Sequence, residues 1–310
     1  VGSEMCIRDR ISALSSFSRK YNLNLCMKRD DLFPIALGGS KSRMLQYILY
    51  EPLRKGVRTI VTAGGPCSNF NRAVALMCAR YGVQLILVSY TDEPEEYDTS
   101  LNNYLVRLAG CEFVYCKKTE VPQTISKVLA GLDSETSHFV YGGGKSLEGF
   151  YAYYDAVREL SEQMTEVDAV FVACGTGTTL TGICAGMQRF FPNAVVHAVS
   201  VARNIEAEKP VLADDMGVLN SYLGTNYDFS NLCFHDEYLS GGYGKACAEQ
   251  LMAIRECISH EGIVVDPTYS GKAFYGMTSI LSTGKYAGKN VLFWNTGGLI
   301  NLLSQKVMFS

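Results

Sequence analysis

Short runs of β-branched and aromatic residues alternate along this chain with longer stretches whose apolar positions return every three to four residues. The runs at 59–62, 84–88, 113–115, 139–141, 169–173, 195–201, 262–265 and 291–294 predict strands. Met44, Leu45, Ile48 and Leu49 form an apolar stripe on a helix that opens at about Lys41. Further helices are predicted over 68–80, 101–109, 147–164 and from Gly175 through Arg189. Alternation of this kind favours parallel sheets with helices on both faces. The pattern weakens from Asn204 to Tyr243, where Asp214-Asp215, Asn220-Ser221, Gly224 and Gly241-Gly242 predict a loop-rich insertion near the mouth of a site. Domain boundaries are expected near Lys41 and at Gly142-Gly143-Gly144, three glycines ahead of a long helix.

A length of 310 residues accommodates one large or two medium domains. With 47% hydrophobic and only 19% charged residues, the chain reads as compact, well buried, globular and enzyme-like, not disordered. A formal net charge of -3 gives no electrostatic reason to expect nucleic acid or an anionic membrane as partner. No apolar stretch is long enough to span a bilayer. Val1-Gly2-Ser3-Glu4-Met5 lacks the apolar core of a signal peptide, and roughly the first ten residues are set aside as an extraneous tail. The 11 cysteines show no CxxC pair and no metal-ligand spacing, which suits buried thiols in a reducing cytoplasm. The 4 histidines stand apart, so no metal site is expected.

Chemistry gathers at polar turns. Lys41 ends Gly38-Gly39-Ser40-Lys41, where an amine held at a helix start and partly desolvated could attack a carbonyl; an ordinary solvated lysine is the alternative. Gly175-Thr176-Gly177-Thr178-Thr179-Leu180-Thr181-Gly182 follows a strand and opens a helix. Bare backbone, unpaired N–H groups and threonine hydroxyls suit a phosphate there, unless the turn merely needs glycine. The segment lacks the GK[ST] ending of a nucleotide-triphosphate loop. Gly64-Gly65-Pro66-Cys67-Ser68-Asn69 also joins a strand to a helix, and Ser68 or Asn69 could be simply its N-cap. Asp266-Pro267-Thr268-Tyr269-Ser270-Gly271-Lys272 and Asn295-Thr296-Gly297-Gly298 take the same position after their strands, where open α/β sheets bind ligands. Tyr243, in Gly241-Gly242-Tyr243-Gly244, is a further candidate, although a chain with 19 tyrosines uses most of them for packing.

Taken in order, GGSK, GGPCSN, GTGTTLTG, DPTYSGK and NTGG resemble the pyridoxal-phosphate enzymes related to tryptophan synthase β. Within these the chain is similar to the branch containing 1-aminocyclopropane-1-carboxylate deaminase and D-cysteine desulfhydrase, from about Lys28 to Leu303. The resemblance implies an α/β fold of two open, mainly parallel twisted sheets covered by helices. Pyridoxal 5'-phosphate would lie between a large domain (1–41 and 145–310) and a small one (42–144), in a cytoplasmic homodimer. By the same likeness Lys41 would join the cofactor aldehyde and then act as base on the substrate Cα–H. Asn69 would bond the phenolic oxygen, Ser68 would sit by the substrate carboxylate or assist proton transfer, and Gly175, Thr176, Gly177, Thr178 and Thr179 would hold the phosphate. Tyr243 and Tyr269 would face the substrate, Thr296 would meet the pyridine nitrogen or its edge, and Ser270 would stand beside that nitrogen.

Three departures bear on the substrate. The deaminase branch carries a glutamate where this chain has Ser270, and a hydroxyl favours a protonated ring nitrogen less than a carboxylate does. Phe70 replaces a polar residue, and Ser40 an asparagine. The balance moves from cyclopropane ring opening towards β-elimination from a small amino acid such as D-cysteine, giving ammonia and a 2-oxo acid. The deaminase reaction, β-replacement and racemisation share the first proton abstraction and stay as alternatives. A phosphate-ligand binding protein without turnover is the reading from another class.

Overall fold

The computed structural model describes residues 11–309, so the N-terminal tail set aside above lies outside the described residues. Among the described residues, ten strands form two sheets: β1 (Ile11–Ala13), β2 (Asn24–Arg29), β3 (Thr59–Gly64), β4 (Gln84–Ser89), β5 (Glu112–Tyr115), β6 (Ser137–Phe139), β7 (Ala169–Cys174), β8 (Val195–Ser200), β9 (Leu232–His235) and β10 (Asn290–Asn295). The larger sheet has the order β1-β2-β10-β7-β8-β9, and the smaller β5-β4-β3-β6. Each of these pairings is parallel except that of β1 with β2.

The unbroken apolar runs of the central strands follow from burial on both faces. All six residues of β7 are buried. Val170, Val172 and Cys174 enter a core shared with Met44, Ile60 and Phe70. Ala169, Phe171 and Ala173 alternate into a second core with Leu25, Met27 and Phe274. β10 divides in the same way, Leu292 and Trp294 to the first core, Val291 and Phe293 to the second. The first core spans the helix after Lys41, the smaller sheet and the central strands of the larger one, so one packed interior fixes the two sheets against each other.

Two expectations are corrected. The segment from Asn204 to Tyr243 is not a loop-rich insertion throughout: Ile205–Leu223 is a 19-residue helix, and β9 follows it. Its buried positions, Glu208, Leu212, Asp215, Met216 and Leu219, have helical spacing. Two of the five are carboxylates, paired with Arg203 and Lys145, and these hid the stripe from an apolar count. Asn204 caps the helix start by accepting from Ala207 N–H at 3.0 Å. The second correction concerns 262–265, which is not a strand. Ile263 and Val265 are buried there, but the Asn295 side chain takes the Val264 carbonyl at 3.1 Å and no sheet ladder forms.

Candidate active site

Because β2, β10, β7 and β8 run parallel, their carboxyl ends point one way, and the turns after β7 and β10 meet those after β3 and β4. Between them lies a cavity of about 710 Å³. It is lined by Lys41, Ser68, Asn69, Gly175, Thr176, Gly177, Thr178, Thr179, Tyr243, Tyr269 and Thr296, candidates drawn from six separate stretches of the chain.

Lys41 lies in the first turn of the helix Ser40–Ile48, whose Met44, Leu45 and Ile48 are buried. Gly39 leads into it at φ +89 with its α-carbon packed on Gly297; a Cβ on Gly39 would lie 2.9 Å from the Thr296 carbonyl oxygen. Glycine is therefore required where the lysine turn crosses the β10 turn. Ser40 N–H bonds that same carbonyl at 3.0 Å. Lys41 Nζ donates to the Gly143 carbonyl at 3.0 Å, and no carboxylate among the described residues pairs with it. Burial lowers its pKa to about 8, with a small opposing effect from Cys174. A large part of the amine is then neutral, and nucleophilic, near pH 8.

The helix Thr178–Phe190 has Gly177 as N-cap at φ 82 and no side-chain cap. Its first-turn N–H groups are left to the cavity, the arrangement that binds a phosphate. The Thr176 and Thr178 hydroxyls stand 3.3 Å apart beside them. A Cβ on Gly177 would come within 2.9 Å of Leu212 and 3.1 Å of Glu208, so the helix at Ile205–Leu223 also backs this turn. Glu208 and Asp215 are matched there by Arg203 and Lys145, each at 2.9 Å, which leaves the helix dipole uncancelled.

Ser68 is the N-cap of the helix Asn69–Tyr81, accepting from Phe70 N–H at 3.2 Å and Asn71 N–H at 3.3 Å, and its own O–H is left to donate. The Asn69 Oδ1 accepts from Arg72 Nη1 at 3.0 Å and from Asn102 Nδ2 at 3.2 Å. That fixes the amide with Nδ2 as the group offered to the cavity. Phe70 packs into the first core with Met44 and is buried, so its ring serves the interior more than the wall.

Tyr269 and Tyr243 are hydrogen-bonded through their hydroxyls; burial raises the pKa of Tyr269, and desolvation at the cavity wall raises that of Tyr243, although the residue as a whole is half exposed. Both phenols therefore keep their protons at neutral pH. Tyr243 is carried on a turn in which Ser240, Gly241, Gly242 and Gly244 all have positive φ. Buried Lys272 braces that turn through the carbonyls of Leu239 and Gly242, and burial lowers its pKa to about 8. Ser270 is fully buried behind the wall. Its hydroxyl bonds Asp266 at 2.8 Å and the Gly297 carbonyl lies 2.9 Å from it, so it stands outside the cavity lining. Sequence reasoning assigned no role to Arg72, Lys272, Asn102 or Asn301. The first two lie in the opening turns of the helices Asn69–Tyr81 and Ser270–Leu281, next to the motif turns, whereas Asn102 meets Asn301 at 2.7 Å across 199 residues and leaves no local signal.

The donor set fits pyridoxal 5'-phosphate: a lysine amine of lowered pKa, an uncapped helix start for the phosphate and an amide N–H for the phenolic oxygen, all on one cavity. Comparison with known proteins agrees. The family model described as "Pyridoxal-phosphate dependent enzyme" matches residues 10–297. A Thermotoga maritima protein provisionally named 1-aminocyclopropane-1-carboxylate deaminase is 31% identical over 305 residues, covering 95% of each chain. A Yersinia pestis D-cysteine desulfhydrase is 30% identical over 298 residues, 93% of this chain and 90% of the relative. A crystal structure of an ACC deaminase homologue superposes with a TM-score of 0.86 at 29% identity, covering 96% of this chain and 91% of that one.

Proposed function

This chain belongs to the pyridoxal-phosphate dependent enzymes, and we propose that it removes the Cα proton of a small amino acid and expels the β-substituent, with D-cysteine as the leading substrate. When bound, the cofactor supplies the electron sink for the pair left on Cα. The protein does the rest. Lys41 takes the Cα proton as a neutral amine, which its lowered pKa supports. The Ser68 O–H holds the substrate carboxylate, and Asn69 Nδ2 and the helix start at Thr178 hold the cofactor's two oxygen-bearing ends. The Tyr269–Tyr243 pair donates a proton to the departing sulfur, one hydroxyl donating to the other, whose own O–H is left free for the leaving group. The overall reaction takes D-cysteine and water to hydrogen sulfide, ammonia and pyruvate.

The observation that carries this reading is the hydroxyl pair of Tyr243 and Tyr269 on the same cavity as Lys41. A basic amine and an acid of raised pKa serve the two proton movements that elimination requires. Ser270 supports elimination over ring opening, because position 270 carries a hydroxyl engaged with buried Asp266 and brings no carboxylate of its own to the cavity. Cyclopropane ring opening is the second reading, favoured by the names of the Thermotoga relative and of the superposed structure. The division into a large domain (1–41 and 145–310) and a small one (42–144) accords with the strands: β3 to β6 make one sheet, and the other six make the second. A homodimer and a cytoplasmic setting complete the proposal. The described cysteines are all free thiols, which suits a reducing compartment.

The deciding experiment is a panel of D- and L-cysteine, D-serine and 1-aminocyclopropane-1-carboxylate, read for sulfide, ammonia and 2-oxo acid. Equal yields of sulfide and pyruvate from D-cysteine are expected. 2-Oxobutyrate from the cyclopropane substrate with no sulfide from either cysteine would overturn the assignment in favour of the second reading.

A further inference from the structure

Arg72 is a buried cation to which no described residue gives a counter-ion. Its side chain is 4% exposed and lines the cavity. Nη1 donates to Asn69 Oδ1 at 3.0 Å and to Asn102 Oδ1 at 3.2 Å, and Nη2 donates to the Gly38 carbonyl at 3.4 Å. All three acceptors are neutral, and Nε has no partner among the described residues. Burial lowers the guanidinium pKa to about 10, with no acidic neighbour to offset it. The cavity's own carboxylates, Asp92, Glu93 and Glu96, follow β4, and Glu96 is taken by Thr91 at 2.7 Å; none pairs with Arg72. An isolated buried charge is strongly unfavourable unless something balances it.

We propose that Arg72 is a positioning residue whose charge is left for the bound anionic cofactor to balance, and that it orients the Asn69 amide and the Gly38 turn ahead of Lys41 in the same act. Asn69 Oδ1 is occupied by Arg72 and Asn102, so Nδ2 is what Asn69 offers to a phenolate oxygen. Gly38 stands three residues before the lysine, so one planar fork touches both the cofactor's amide contact and the turn that carries the nucleophile. The apo protein carries the unfavourable charge, and ligand binding relieves it. Some of the cofactor's affinity then comes from a cation that contributes nothing to the stability of the empty fold.

The inference rests on the cofactor reading of this site, not on which amino acid is the substrate. Its test compares the apo and cofactor-saturated forms of the wild type, Arg72→Met and Arg72→Lys by thermal melting and by titration with pyridoxal 5'-phosphate. Apo Arg72→Met should melt no lower than the apo wild type, because the unpaired charge is gone. Its melting shift on saturation should fall by at least half, with a Kd for the cofactor raised about tenfold or more. Arg72→Lys keeps the charge and should retain most of the shift. An apo Arg72→Met that melts lower, with shift and Kd unchanged, would make Arg72 an ordinary structural residue and overturn the proposal. Should Arg72→Met fail to fold, the Lys variant decides: a retained shift upholds the proposal, and a lost one refutes it. A wild type that takes up no cofactor would instead refute the cofactor reading itself, so the two failures are distinguishable.

Discussion

Arg43 and Lys41 stand two residues apart on one helix and belong to opposite electrostatic settings. Arg43 points into a closed set of ion pairs: it reaches Asp30 at 3.1 Å and Glu159 at 3.2 Å, while Lys28 takes the other Glu159 oxygen. Trp294 Nε1 and the Tyr153 hydroxyl donate to the remaining oxygen of Asp30. Lys28 and Asp30 are fully buried, so this cluster is stable only because each charge is matched. Around the cavity, Lys41, Arg72 and Lys272 donate to neutral oxygens, and burial lowers the pKa of each. Charges matched within the protein tie the helices Ser40–Ile48 and Leu147–Ser161 to the larger sheet, and charges left unmatched are available to ligand and chemistry.

The comparison can be broken at either side. Lys41→Ala should lower turnover about 10³-fold or more and abolish covalent attachment of the cofactor, read by steady-state kinetics and by absorbance after borohydride treatment. Asp30→Ala should leave Arg43 and Lys28 with a single shared carboxylate and destabilise the fold by about 3–5 kcal/mol in urea unfolding. The apo Arg72→Met protein, by contrast, should show no such loss. Tyr269→Phe should reduce kcat about 10²-fold while the cofactor stays bound. A smaller effect follows from the lysine's titration. Its native pKa lies below the unfolded value of 10.5, so the unfolded chain holds the extra proton between about pH 8 and 10.5, and stability from this group rises across that window. The melting difference between Lys41→Met and wild-type apo protein should therefore narrow as pH rises from about 8 to about 10. Ser68→Ala should lose about 1 kcal/mol as a missing N-cap, in addition to any effect on substrate KM.

The strands flanking the cavity were legible because both faces of β7 and β10 are apolar, and a short unbroken run of β-branched and aromatic residues suits a strand covered on both sides. The helix at Ile205–Leu223 was not, because its inward face carries Glu208 and Asp215, two carboxylates that interrupt the apolar stripe and pair with cations outside the helix. The span 262–265 misled in the opposite sense: β-branched and buried, it has its Val264 carbonyl taken by a side chain instead of a neighbouring strand. The same distinction runs through the site. Lys41, Ser68 and the turn at Gly175 announce themselves through glycines and helix starts, which are local features. Arg72 and Asn102 act through contacts with partners 3 to 199 residues away, and a buried charge without a counter-ion is visible only in three dimensions. Ser270 is a related case: its place in the motif suggests a neighbour of the ring nitrogen, and the fold turns its hydroxyl towards Asp266 and Gly297.

Lys41 and Lys272 both have pKa values near 8, and Lys118 also lines the cavity, so the assignment of the amine that captures the cofactor can be tested outright. The holoenzyme is reduced with borohydride, digested, and its peptides are mapped by mass. A single phosphopyridoxyl group on Lys41 is expected; the same group on Lys272 or Lys118, or none at all, would contradict the assignment.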